Sequence, residues 1–371
     1  MRQRRIPRIR RRFAIATSVL ATVLVAAGCG SSSTSGGSTS SSGGSGSSPV
    51  TLRLGYFPNL THAPALVGVE QGIFARDLGP GVTLQTQTFN AGPSAITALL
   101  AGSLDATFIG PSPAVNAFVK SNGQALRIIA GVTSGGAGLV VRRDAHITGP
   151  ADLRGRTLAT PQLGNTQDVA LRAWLAAHGL KTDAQGGGDV RIVPTDNSTT
   201  LQLFKQGQID GAWVPEPYLT RLHDESGGVI LVDEATLWPG GRFETTNLVV
   251  SSAFLGTHAD VVRKLVAADL DAVDFTTRHP AEAKAAVNAQ LEKLTQKKLP
   301  TAELDEAWGR LSFIVDPVAA SLKTSADNAR TAGLLAADAR LKGIYDLRIL
   351  NAVLQSRGSA DPVSDAGLGV G

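Results

Sequence analysis

At 371 residues, 43% hydrophobic and 18% charged, the chain is long enough to bury more than one sizeable core. Its formal charge of +4 misleads: seven of the 35 basic residues precede Cys29, and beyond that point 28 basic residues face 31 acidic ones, a net charge of −3 that leaves no basic patch for nucleic acid. Cys29 is the sole cysteine, which excludes internal disulfides.

The N-terminus has the layout of an export signal. Residues 2–12 hold seven arginines and no acid, and the apolar run Phe13–Ala27 is too short to span a bilayer. Ala26-Ala27-Gly28 then supplies small residues immediately before Cys29, the arrangement of a bacterial lipobox. The sequence thus predicts a lipoprotein signal peptide over 1–28, with Cys29 as the lipidation site once it is cut. Arg10-Arg11-Arg12-Phe13 hints at twin-arginine export, but Ala14 departs from that pattern, and the export route stays open. Residues 29–49 read as a disordered Ser/Gly tether, because Ser, Gly and Thr cannot bury enough apolar surface to offset chain entropy. About twenty such residues span roughly 25 Å.

From Val50 strands and helices alternate. Strands are expected at Leu52–Tyr56, Val82–Thr88 and Leu126–Ala130, with helices at Ala63–Gln71, Pro93–Ala101 and Ala114–Lys120 between them. A second series places strands at Thr157–Thr160, Val190–Val193 and Ile209–Val214, and helices at Thr166–His178, Thr199–Gln206 and Pro217–Asp224. The series are linked by an internal repeat. At an offset of 105 residues, Gly102, Leu104, Asp105, Phe108 and Ile109 reappear as Gly207, Ile209, Asp210, Trp213 and Val214, and each copy ends in prolines, IGPSP and WVPEP.

A repeat this far apart predicts two α/β lobes rather than a solenoid. Lobe I is expected over 50–145 and 245–357, lobe II over 146–244, and 358–371 as a frayed tail. The similar runs Leu139-Val140-Val141 and Leu248-Val249-Val250 are read as two hinge segments. Beyond Ser252, Val261, Leu265, Ala268, Ala272 and Phe275, then Ala283, Val287, Leu291 and Leu294, step as apolar helical stripes, read as core against lobe I.

Catalytic machinery is not encoded. The histidines at 62, 146, 178, 223, 258 and 279 have no metal-ligand spacing, so no metal is expected. Gly164-Asn165-Thr166 lacks the lysine of a phosphate loop, and Gly135-Gly136-Ala137-Gly138 lacks dinucleotide spacing; no cofactor is expected. Gly110-Pro111-Ser112-Pro113 imitates a nucleophile elbow, but prolines on both sides of Ser112 obstruct that geometry.

The same turns fit binding better. Ser112 reads as a helix cap followed by proline, beside the positive end of a helix dipole. Asn59, Thr61 and His62 precede a helix, as do Gln162, Asn165 and Thr166, while Thr133 and Ser134 add hydroxyls after a strand. Strand ends are where such folds bind ligands, and these loops describe a pocket of neutral donors suited to a small oxyanion. Glu216 is read as pointing away, pairing with a cation, or receiving a ligand amine; Trp213 and Tyr218 as apolar wall or core. No arginine stands in these loops, although Arg142 and Arg242 lie near the expected hinge.

The leader, Cys29 and the tether, followed by LGYFPNLTHAPALVG, FNAGPSAITALLAGSLDATFIGPSPA, GVTSGGAGLVV, TPQLGNTQDVALRAWL and DGAWVPEPY, resemble the solute-binding lipoproteins of ABC importers for aliphatic sulfonates, nitrate, bicarbonate and taurine. The resemblance spans Val50 to about Leu354. It implies an α/β, two-lobed type II periplasmic-binding-protein fold with two hinge segments and additional C-terminal helices. It also implies a cleft lined by Asn59–His62, Gly110–Ser112, Thr133–Ser134, Gln162–Thr166 and Trp213–Glu216. Closure over a small oxyanion, most simply a sulfonate, would let the monomeric protein dock on a permease driven by a separate ATPase, on the outer face of the cytoplasmic membrane. Within the family nitrate, bicarbonate, taurine or a thiamine-precursor heterocycle are the alternatives. Outside it stand a precursor-synthesis enzyme on the same fold, which the leader argues against, and a lipoprotein sensor.

Overall fold

The computed structural model describes residues 49–371; the expected leader, Cys29 and nearly all of the tether lie outside the described residues. Chain order begins β1 (Val50–Tyr56), α1 (Ala63–Glu70), α2 (Ile73–Leu78), β2 (Val82–Thr88), α3 (Gly92–Leu100), β3 (Ala106–Ile109), α4 (Pro111–Lys120) and β4 (Leu126–Gly135). It continues through β5 (Ala137–Val141), β6 (Thr157–Thr160), α5 (Thr166–Ala177), β7 (Arg191–Pro194), α6 (Asn197–Lys205), β8 (Gly211–Pro215), α7 (Tyr218–Asp224) and β9 (Val229–Asp233). The return comprises β10 (Glu244–Ser251), α8 (Ser252–Thr257), α9 (Ala259–Arg278), α10 (Pro280–Thr295), α11 (Thr301–Trp308), β11 (Leu311–Phe313), α12 (Ala319–Thr331) and α13 (Arg348–Ser356).

Two sheets result, ordered β11-β4-β10-β3-β1-β2 and β7-β6-β8-β5-β9. β3 and β8 are buried on both faces and apolar but for Thr107, as strands between helical layers must be. Each is flanked by one parallel strand, β1 or β6, and one antiparallel strand, β10 or β5. The first lobe has one large core, in which α1, α2, α9 and α10 cover the sheet. The second carries a core on each face, around Trp174 and Trp213 on one side and Phe204, Leu219 and Leu222 on the other.

The hinge expectation is corrected. Leu139–Val141 and Leu248–Val250 sit inside β5 and β10, in different sheets. Their likeness reflects equivalent positions: Leu139 pairs with Trp213 and Leu248 with Phe108, the residues related by the repeat. The chain crosses between sheets at Gly135-Gly136 and returns through residues 234–243. Because β5 belongs to the second sheet, the first lobe ends near Gly135 rather than at residue 145.

The tail is not frayed. Gly369 bridges to Tyr345, the Val370 amide donates to the Tyr345 carbonyl at 2.9 Å, and Tyr345 in turn bridges to Ile128 of β4. The C-terminal helices also reach further than the stripes imply, since α11 packs on α7 and α12 on both α4 and α5. Within the stripes, Val261, Leu265, Ala268, Ala272, Ala283, Val287 and Leu291 are buried in the first core, but Leu294 is 38% exposed.

Candidate ligand site between the two sheets

The strands of both sheets end at one small cavity of about 20 Å³, room for about one water. Phe57 and Asn59 follow β1, Asn90 follows β2 and Gly110 follows β3, while Pro161 and Pro215 stand at the ends of β6 and β8 and Asn197 opens the helix after β7. Thr61, His62, Asn165, Thr166, Gln167 and Thr245 complete the wall. Six expected residues therefore meet here: Asn59, Thr61, His62, Gly110, Asn165 and Thr166.

Among the described residues, no charged side chain lines the cavity. His62 is buried against Phe57, ring centroids 4.3 Å apart, and accepts the Phe57 amide on Nδ1 at 3.4 Å. Burial lowers its pKa to about 3, so the ring is neutral. Asp168 on α5 is buried behind the wall but is held by Arg172 at 3.0 Å and by the Thr160 hydroxyl at 2.9 Å. Positive potential comes instead from helix ends. Gly110 is the N-cap of α4, Asn165 the N-cap of α5 and Asn197 the first residue of α6, so three helix N-termini converge on the cavity. In the wall, the Thr166 hydroxyl and the acceptor Asn197 Oδ1 are buried without a hydrogen-bond partner, as are the Ser112 and Thr133 hydroxyls outside it.

The lobes are closed around the cavity. The Gly92 amide donates to Asn165 Oδ1 at 3.2 Å, the Ser94 hydroxyl to Gln162 Oε1 at 3.2 Å, and the Leu60 amide to the Glu216 carbonyl at 3.1 Å. Gly110 is needed for this approach, since a Cβ there would lie 2.3 Å from Thr166 Oγ1.

The other expected site residues do not line the cavity. Ser112 is the second residue of α4 rather than its cap, because the helix begins at Pro111, and it does not line the cavity. Thr133 is buried within β4, and the Ser134 hydroxyl accepts the Phe243 amide at 3.2 Å. Gln162 binds Ser94 across the lobes instead of facing the cavity. Trp213 is core: its indole donates to buried Glu234 at 2.8 Å and packs edge-on against Trp174. Glu216 pairs with a cation, the second of the three readings. Its carboxylate accepts from Arg310 at 3.3 Å and from the Thr220 hydroxyl at 2.9 Å. Burial outweighs those partners and raises its pKa to about 7. Arg142 is tied to Asp144 at 2.5 Å and Arg242 is exposed, so neither reaches the cavity.

Sequence reasoning missed Phe57, Asn90, Pro161, Gln167, Asn197 and Thr245, while Pro215 falls within the expected Trp213–Glu216 wall. The available signal was positional for Phe57 and Pro161, which directly follow the parallel strands β1 and β6. Among the described residues, folding also gathers His223, Asp224 and Glu306 within 4.8 Å of one another on α7 and α11, away from the cavity. There Asp224 already contacts His223 at 2.6 Å and Glu306 holds Arg310 at 2.8 Å.

Comparison with known proteins bears on the fold and the family. A putative binding protein of Brucella abortus is 27% identical over 255 residues, covering 68% of this chain and 75% of the relative. The taurine-binding periplasmic protein of Escherichia coli is 28% identical over 209 residues, 56% of this chain and 62% of its own. The crystal structure of the periplasmic nitrate-binding protein of Synechocystis superposes with a TM-score of 0.72 at 16% identity, covering 87% of this chain and 93% of that one, which establishes the periplasmic-binding-protein fold. The pattern of the NMT1-like family matches residues 45–291, two thirds of the sequence, and the chain belongs to that family.

Proposed function

We propose that this protein is the extracytoplasmic solute-binding lipoprotein of an ABC importer, monomeric, anchored through Cys29, and delivering a small singly charged oxyanion to a permease and its ATPase. The observation that carries the reading is a cavity closed between two lobes, lined by uncharged donors and faced by three helix N-termini. Neutral amides and hydroxyls at dipole ends suit one negative charge spread over several oxygens, and an alkanesulfonate meets that description. A multiply charged anion would demand a cation that the wall lacks. Because the closed cavity holds about one water, such a ligand enters an open form, and its contacts to both lobes then stabilise the closed one. The taurine-binding and nitrate-binding relatives support this class.

One observation favours a second reading. The Phe57–His62 pair, with its rings tilted 30° to one another, offers an aromatic face with no cation beside it, which fits a neutral heterocycle. Calorimetric titration with alkanesulfonates, taurine, nitrate, bicarbonate and a thiamine-precursor pyrimidine separates the two. Heat from the pyrimidine alone would overturn the oxyanion reading. Thr166→Ala, in the cavity wall, is expected to weaken binding roughly tenfold, as loss of a hydrogen bond to a charged group does. Ser112→Ala, outside the wall, should leave affinity unchanged.

A further inference from the structure

A second cavity, of about 560 Å³, lies at the other end of the first lobe. It is lined by three arginines, Arg127, Arg263 and Arg348, against one carboxylate, Asp346. Arg127 is held in place by the Gly123 and Leu126 carbonyls at 2.6 and 2.7 Å, and its guanidinium lies 5.6 Å from the Phe118 ring centroid. Arg348 is gripped by both oxygens of Asp346, at 2.8 and 2.6 Å. Arg263 has no ion-pair partner among the described residues. The 20-residue helix α9 begins in the same wall, at Ala259, and its N-cap His258 contributes no side-chain hydrogen bond. Two held guanidinium groups, Arg127 and the largely exposed Arg348, and the unpaired Arg263 stand beside the positive end of a long helix and together form an oxyanion cradle.

Its position in the fold indicates where that anion comes from. β1 runs parallel to β3, and β10 runs antiparallel to both β3 and β4, so β4 runs in the same direction as β1. Arg127, at the start of β4, therefore lies at the end of the sheet where the chain enters at Val50, opposite the ligand cavity.

We propose that this arginine pocket binds a phosphate group, supplied by anionic phospholipid headgroups of the membrane beside which the chain is tethered. The source, though not the phosphate chemistry, rests on the lipid-anchored reading. A tether of roughly 25 Å lets the body drift beyond a Debye length of about 8 Å. A phosphate pocket at the tethered pole would instead seat the first lobe on the bilayer.

The test uses residues 49–371, essentially the compact unit that contains every core. The body is expected to sediment with phosphatidylglycerol-containing vesicles and not with pure phosphatidylcholine vesicles. Arg263→Gln with Arg348→Gln should weaken that binding about thirtyfold, from roughly fivefold per arginine near an anionic surface. Circular dichroism should be unchanged in that double variant. Arg143→Gln, in the cavity at the far end of the second lobe, should sediment like the unaltered body. Equal sedimentation with both vesicle types, without binding of inorganic phosphate, would overturn the proposal. So would equal losses in the double variant and Arg143→Gln. Binding of inorganic phosphate that depends on Arg263 and Arg348, with no vesicle preference, would keep the phosphate site and overturn the membrane as its source. Palmitate labelling of the full chain against Cys29→Ala tests the anchor separately, so loss of one conclusion does not carry the other.

Discussion

The two copies of the repeat are alike at one end and unlike at the other. At the base of β3, the Asp105 carboxylate accepts the Arg53 amide of the neighbouring parallel strand at 2.8 Å; at the base of β8, Asp210 accepts the Thr157 amide, also at 2.8 Å. Their backbones repeat the match, since Ser251 donates to the Asp105 carbonyl and Arg142 to the Asp210 carbonyl, both at 2.8 Å. Gly102 and Gly207, at φ +70 and +68, turn the chain identically out of the preceding helices. At the tops the copies part. The first ends in Gly110, which lets the lobes touch, and the second in Glu216, which ties β8 to α7 and to Arg310 at the end of α11. The conserved geometry builds the lobe, and the divergent turn decides what each cleft wall does.

The largest expected effect tests whether the second wall is structural. Burial raises Glu216 and Glu234 to about 7 from an ordinary 4.5. A raised carboxyl holds its proton in the folded state after the unfolded chain has released it. The share of stability that these two groups contribute is then full below about pH 4.5, falls as pH rises to about 7, and is level above that. Each group contributes on the order of 3 kcal/mol to that fall. Urea denaturation across pH 4 to 8 should show the decline, and Glu234→Gln should flatten part of it without changing ligand affinity. A decline that persists undiminished in both Glu216→Gln and Glu234→Gln would place the titrating groups elsewhere.

The first wall predicts the opposite separation of effects. In Gly110→Ala the new methyl would meet Thr166 Oγ1 at 2.3 Å, a clash between lobes that exists only when they close, and the Thr245 carbonyl of the first lobe's own β10 at a milder 3.3 Å. Overpacking of this kind costs about 1–3 kcal/mol, so ligand affinity should fall roughly tenfold to hundredfold while the melting temperature barely moves. Thr166→Ala in the same background should recover part of the closure as read by small-angle scattering. Equal losses of stability and affinity would mean that Gly110 serves the first lobe's own fold.

These contrasts mark what could be read from the residues. Gly, Asp and an apolar run at fixed offset specify the base of each unit, because the turn, the strand-bridging carboxylate and the buried strand are local demands. The runs at Leu139 and Leu248 carried a genuine signal of equivalence, but sequence similarity alone does not distinguish a hinge from two matched central strands. The cavity was half legible. Loops at strand ends are marked by caps and glycines, whereas Asn90, Gln167 and Asn197 are single amides that no spacing singles out. Trp213 was ambiguous because its partner, Glu234, lies 21 residues on in a short turn. Arg310 and the docked tail were hidden for the same reason: their partners are set by how the C-terminal helices wrap across both lobes.

The smallest expected effect bears on the shared base. Asp105→Ala and Asp210→Ala each leave a strand amide without its carboxylate acceptor, at a cost of about 1 kcal/mol. Each also removes an arginine ion pair, Arg53–Asp105 at 2.6 Å or Arg156–Asp210 at 3.4 Å. Both arginines are about two-fifths exposed, at 41% and 39%, so solvent screening leaves those pairs little weight. The two substitutions should therefore lower stability in urea by similar amounts, despite the better geometry of the first pair. If Asp105→Ala cost several times more than Asp210→Ala, the arginine fork and not the backbone bridge would be holding the first copy. The likeness between the two bases would then be one of shape without shared energetics.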